Sequence, residues 1–181
     1  MLEEDIRRAN ELIEQGQLLE ALDALAVVGQ KATDLQEWPV AIRAHRIAAE
    51  ILHQLGQIGP ALSHAAESLY LCIEHEPENT LESLGQVLAF VEQAVGERRY
   101  YVAQEVGPGL LRVLATLKPA PGGETWLELA IDVARLIALV GEAQGDAQSD
   151  AHVEALTLAA LIDRATEGHL NLNMWVHSTA F

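Results

Sequence analysis

Three glycines, Gly16, Gly56 and Gly96, stand 40 residues apart, each after one apolar helical stripe and before another. No other feature constrains the fold as strongly. Glycine takes the left-handed backbone conformation that ends a helix without a Cβ clash. The segments after the first two match: Gly16-Gln17-Leu18-Leu19-Glu20-Ala21-Leu22 against Gly56-Gln57-Ile58-Gly59-Pro60-Ala61-Leu62. Both read Gly-Gln, an aliphatic residue, two variable positions, then Ala-Leu. A small residue at that point lets a second helix lie close against the first. The repeated unit is therefore a helix–turn–helix.

Apolar residues recur at three- and four-residue steps on both sides of each turn. Leu2, Ile6, Ala9, Leu12 and Ile13 form the first stripe, and Leu18, Leu19, Leu22, Leu25 and Ala26 the second. Thr33-Asp34 marks the next break. The third helix is expected from about Glu37 to Leu55, with Pro39 in its first turn, where a missing N–H costs least. The fourth ends before Pro77. Asn79 and Glu82 form a capping box at the start of the fifth, and Gly96 is expected as the third turn. Gly107-Pro108-Gly109 predicts a kink or break, with a short helix from Gly109 to Lys118. Pro119 to Gly123 reads as a linker, Thr125 and Glu128 as a second capping box, and Gly141 to Asp150 as a polar loop. A last helix is expected over Asp150 to Glu167.

The turn segment Glu14 to Ala21 resembles that of the tetratricopeptide family, with the same Gly-to-Ala spacing. The resemblance covers residues 1–77 and is faint in the third unit, where Tyr101 stands at the alanine position. The period of 40 is longer than the family's ~34, and the aromatic positions of the family's first helix are missing. A unit of this length is also similar to the sensor arms of large bacterial transcriptional activators and to HEAT-type repeats. The resemblance implies an all-α fold: antiparallel helix–turn–helix repeats stacked as a short superhelix of about eight helices. Three units would fill residues 1–118, a linker residues 119–124, and a helical pair with a tail residues 125–181, all packed as one domain. It also implies protein–protein interaction.

Composition narrows the function. The formal net charge is −16, which repels phosphate backbones and anionic lipid surfaces, so neither nucleic acid nor membrane is an expected partner. A basic protein or peptide would be attracted, although acidity also serves solubility alone. The acidic, amphipathic N-terminal segment does not read as a secretory signal. The densest apolar stretch, Trp126 to Val140, is broken by Glu128, Asp132 and Arg135. A cytoplasmic location is expected. The lone cysteine, Cys72, sits in an apolar stretch and reads as a small buried hydrophobe.

No motif points to catalysis, and no catalytic residue, cofactor or metal site is expected. Glu50 and His53 have the i, i+3 spacing of a di-metal helical bundle, but a second Glu-x-x-His is missing. Glu74-His75-Glu76 reads as a solvated helix end, and Asp150, His152 and Glu154 diverge on a helix. The candidate partner-binding residues are a mild basic patch of Arg43, His45 and Arg46 with nearby Trp38, and the basic–aromatic knot Arg98-Arg99-Tyr100-Tyr101. Each group also has a structural reading: arginines satisfying nearby acids, and aromatics sealing a turn or capping the core. The tail alternates apolar and polar residues from Leu170 to Val176. An extended strand, a short helix and a disordered end all remain open there, and a strand could link two copies.

A non-enzymatic scaffold that binds a protein or peptide in a groove is the leading expectation. A helical bundle holding a metal or small ligand, and a self-associating structural protein, are the alternatives.

Overall fold

The computed structural model describes residues 2–116 and residues 132 and 133. All regular structure among the described residues is helical. The helices are α1 (Leu2–Glu14), α2 (Leu18–Asp34), α3 (Trp38–Gln54), α4 (Ile58–His75), α5 (Thr80–Gly96) and α6 (Tyr100–Thr116), with a short 3-10 turn (Pro77–Asn79) before α5. The chain divides into two compact units, Met1–Phe90 and Val91–Phe181, and the division falls within α5. No described helix is long and apolar enough to cross a membrane.

One link joins the first four helices three times over. Gly16 (φ 74°), Gln36 (φ 59°) and Gly56 (φ 72°) each take the left-handed conformation. The N–H of the next residue then donates five residues back: Gln17 to Leu12, Glu37 to Ala32 and Gln57 to Leu52, at 2.9, 2.8 and 2.8 Å. Paired with bonds from the left-handed residues themselves to Ile13, Thr33 and His53, these are Schellman closures. The same residue also starts the next helix, because its carbonyl accepts from Ala21, Ala41 or Ala61 at 3.0–3.1 Å. Side-chain caps are absent at Gln17, Glu37 and Gln57. Three-residue links between helices that pack side by side force each helix to run antiparallel to the last.

The structural period is therefore 20 residues, half the sequence repeat. The fourth residue of each of α2, α3 and α4 is an alanine with no exposed surface: Ala21, Ala41 and Ala61. Alternate helices also match: the burial pattern of residues 21–30 recurs residue for residue at 61–70. Small side chains at these points let the backbones approach, and Leu25 and Ile51 then fill the space between, each contributing about 2 kcal/mol by leaving water. In the first unit α2 packs on α1, α3 on α2 and α4 on α3, and α1 also reaches α3.

Two expectations fail for one reason. Gly96 is the last residue of α5, and the left-handed residue of that turn is Arg98 (φ 64°). Its bonds repeat the pattern, Arg98 to Val95 and Arg99 to Ala94, both at 2.8 Å. Likewise, Tyr101 is not at the alanine position. The fourth residues of α5 and α6 are Ser83 and Ala103, which are 0% and 2% exposed. α4 has 18 residues where α2 and α3 have 17, and the link before α5, which holds the turn at Pro77–Asn79, has four residues instead of three, so that α5 begins 22 residues after α4 instead of 20. Every later position shifts by two, and glycine spacing in sequence does not register the shift.

The capping box at Asn79 and Glu82 gives way to another arrangement. The Asn79 N–H donates to the Glu76 carbonyl at 2.9 Å in place of the Glu82 side chain, and the Glu82 carboxylate, like the Asn79 carbonyl, engages Arg46 of α3. Gly107-Pro108-Gly109 does not break its helix either, and α6 is continuous from Tyr100 to Thr116. Proline removes one backbone bond, but Gly107, Leu110 and Leu114 are all buried, and burial on both sides of the proline holds the helix together. Asp132 and Val133 are helical and Val133 is fully buried. The expected linker at residues 119–124, most of the region from 125 on and the tail lie outside the described residues.

Candidate functional site

Successive residues on a helix point about 100° apart, so His45 and Arg46, neighbours on α3, face different surroundings. His45 faces a cleft with α2 on one side and α4 on the other. The cleft has a volume of about 560 Å³ and opens to solvent. Ala44, Ala48 and Leu52 of α3 contribute to its floor, with Leu22, Leu25, Ala26 and Gly29 from α2. Asp23 of α2 and Glu67 of α4 bring carboxylates to its rim, and both side chains are exposed.

The polar centre of the cleft is a pair of imidazoles. One Nδ1–H of His45 and His64 donates to the other ring's Nδ1 across 2.9 Å, and the tilted rings have centroids 5.1 Å apart. Burial, followed by the neighbouring His64, pushes the His45 pKa down to about 4. Burial also lowers that of His64, opposed by the charge of Glu67. The pair is therefore neutral in ordinary buffers, and one proton holds the two rings together. Gly29 of α2 lies beside His45. A Cβ built there would meet Ala44 Cβ at 3.8 Å and His45 Nε2 at 3.9 Å, ordinary contact distances.

Arg46 faces a different way and carries a different role. Its side chain is 18% exposed and 2.7 Å from Glu82. Nη2 donates to Ser83 Oγ at 2.8 Å and to the Asn79 carbonyl at 3.2 Å, and Nε donates to Ser83 at 3.1 Å. Ser83 also meets Ser68 Oγ at 3.1 Å and Cys72 Sγ at 3.2 Å. This buried knot ties α3 and α4 to α5. Cys72 is fully enclosed, as its apolar setting predicted.

The expected patch of Arg43, His45 and Arg46 is thus three separate environments. Arg43 pairs with Glu3 of α1, His45 enters the cleft as a neutral ring, and Arg46 is an internal brace. Trp38 is partly buried and stacks flat on His75, with centroids 3.9 Å apart and planes 4° from parallel. In the second unit, Arg98 forms the left-handed turn, Arg99 Nε lies 3.4 Å from Glu97, Tyr100 is half-buried and Tyr101 is 58% exposed. Of the eight candidates, only His45 lines the cleft.

Glu50 and His53 are not brought together as ligands. Glu50 accepts from Gln86 at 3.4 Å and His53 stacks on Phe90 at 4.5 Å. Among the described residues, no group of three or more histidine, cysteine, aspartate or glutamate side chains is placed to hold a metal ion. A second depression of about 550 Å³ lies between α1 and α2, where Asp5, Glu20 and Asp23 are mixed with Arg8 and Lys31. Its three carboxylates face two cations, and Asp23 borders both depressions.

Sequence reasoning missed His64, Glu67, Asp23 and Gly29. His45 and His64 are 19 residues apart and share no motif, so only the antiparallel packing of α3 on α4 makes them partners. Gly29 did leave a signal, as a glycine inside an otherwise good helical stripe. Compared with known protein families, with curated proteins and with solved structures, the chain finds no match.

Proposed function

We propose that the protein is a non-enzymatic, tetratricopeptide-like scaffold, acting in the cytoplasm, that binds a protein or peptide partner in the cleft between α2 and α4. The observation that carries this reading is the cleft itself: about 560 Å³, floored by small and aliphatic side chains, rimmed by carboxylates and open to solvent. Clefts of this size bury several side chains of a ligand. The 40-residue helix–turn–helix spacing supports the same reading, because such repeats stack into surfaces that receive peptides. Among the described residues nothing in the cleft pairs a nucleophile with a base: the polar groups are two imidazoles whose neutral form burial favours, two carboxylates, Gln30 and Thr33. Thr33 donates to the Gly29 carbonyl at 3.0 Å and Gln30 to Asp34 at 2.9 Å.

Affinity capture with the purified chain and with Gly29→Leu tests the reading. Leucine at that position projects into the cleft. A partner retained by the wild type and lost by the variant, with circular dichroism unchanged, is the expected result. Equal capture by both proteins would move the binding surface elsewhere, and saturable binding to neither would remove the scaffold reading.

A further inference from the structure

We infer that the occupant of the α2–α4 cleft is an amphipathic helix of a partner protein, with aliphatic side chains on one face and lysine or arginine beside them. This inference rests on the scaffold reading and specifies the chemistry of the partner. Its first support is the distribution of charge. Asp23 and Glu67 approach the cleft from opposite sides, both exposed, and among the described residues no lysine or arginine lines it. The imidazoles between them add little opposing charge: their Nδ1–Nδ1 hydrogen bond requires at least one of His45 and His64 to be neutral, and burial favours the neutral form of both. A cationic side chain entering the cleft gains two carboxylates and meets no opposing charge.

The second support is shape and polarity. Apolar groups from α2 and α3 form the floor, with Leu22, Ala26, Ala48 and Leu52 among them. Side chains at i, i+3 or i+4 and i+7 of a helix match a floor laid along packed helices. An extended strand would need free backbone donors and acceptors, and the walls are helices whose own backbone groups are already paired. A second copy of this chain is a poor occupant, since each copy carries a formal charge of −16. Long-range attraction adds to the same selection, and it weakens with salt.

Two synthetic helices test this, identical in leucine pattern, one flanked by lysines and the other by glutamates. Binding is followed by fluorescence anisotropy, and its location by the imidazole carbon–proton NMR signals of the intact protein. The lysine helix is expected to bind saturably, to shift the His45 and His64 signals and to leave His75 unmoved. The doubly reversed variant Asp23→Lys with Glu67→Lys, changed only at exposed positions, should bind it about tenfold more weakly and gain affinity for the glutamate helix.

Four results would overturn the inference, and they fail in different places. If both helices bind alike and both are lost on Gly29→Leu, the cleft is the site but does not select cations. If the lysine helix binds and only other histidine signals shift, the scaffold reading survives at another surface. Affinity unchanged by the charge reversal refutes the roles of Asp23 and Glu67. Binding of neither helix to the wild type removes the amphipathic helix as occupant, while affinity capture still judges the scaffold reading.

Discussion

The two sides of α3 solve opposite problems with adjacent residues. On one side, Arg46 takes a permanent charge into a closed interface and is surrounded by acceptors: a carboxylate, a hydroxyl and a backbone carbonyl. On the other side, His45 sits in an open cleft, its one close polar partner another imidazole. A guanidinium cannot shed its charge, so where it is largely enclosed it must be matched by acceptors. An imidazole can, and burial drives it neutral. The closed side thus holds the helices together, while the open side leaves surface that a partner could use. The exposure of the arginine's neighbour Glu82, at 71%, fits this division, since it lets one member of the ion pair keep its water.

The largest test breaks the closed side. Arg46→Ala takes the charged donor away from the Asn79 carbonyl and from Ser83, which keeps Ser68 and Cys72 as partners, and removes the brace between α3 and α5. It should cost about 2–3 kcal/mol, as bonds to a charged group do when one partner is deleted. Urea unfolding, read as a lower midpoint at unchanged slope, checks it. Arg46→Met, which keeps the length of the stem, should recover only the packing part. A midpoint unchanged in both variants would mean that the knot is not a structural brace.

A smaller effect probes the open side. The His45 pKa falls from 6.5 in the unfolded chain to about 4 in the folded one. Between those values the unfolded chain binds more protons, so stability is fully present above pH 6.5 and declines as the pH falls toward 4. With the exposed part of the ring allowed for, the loss is about 1–2 kcal/mol. Carboxylates titrate in the same window, so the comparison is with His45→Gln: its stability should fall less between pH 7 and pH 4.5. Parallel pH profiles for the two proteins would show that burial does not hold the ring neutral.

The smallest effect sharpens the contrast by tightening the open side without closing it. Gly29→Ala adds a methyl group at ordinary contact distance from Ala44 and His45. It removes the glycine penalty in a helix interior, so stability should rise by about 0.5–1 kcal/mol, seen as a higher thermal midpoint. A fall would mean that the cleft cannot accept even a methyl group and that α2 and α3 are closer than their backbones suggest.

Much of the architecture was legible in the residues. The stripes of small and aliphatic side chains gave the helices, and Gly16 and Gly56 gave two turns, because a left-handed residue followed by a small one leaves a local mark. Gln36 and Arg98 left none. Their turns close with the same backbone bonds, so the side chain at the left-handed position is tolerated and not required, at a cost of about 1 kcal/mol. The third unit was misread because one extra residue in α4 and one in the link to α5 shift the register by two, carrying the turn to Arg98 and the small residue to Ala103. Glycine counting sees only Gly96.

For the candidate site the balance reverses. A charged residue in a sequence reads as a surface contact, yet Arg43, Arg46 and Arg99 all face carboxylates of the chain itself. The sequence by itself determined a helical, acidic chain with a repeated turn, because helix periodicity, turn chemistry and net charge are local or additive. Only the tertiary structure decided that His45 meets His64, that Arg46 meets Ser83, and that Asp23 and Glu67 share one cleft. Those pairings depend on which faces of antiparallel helices come together, and that is settled by packing between residues far apart in the chain.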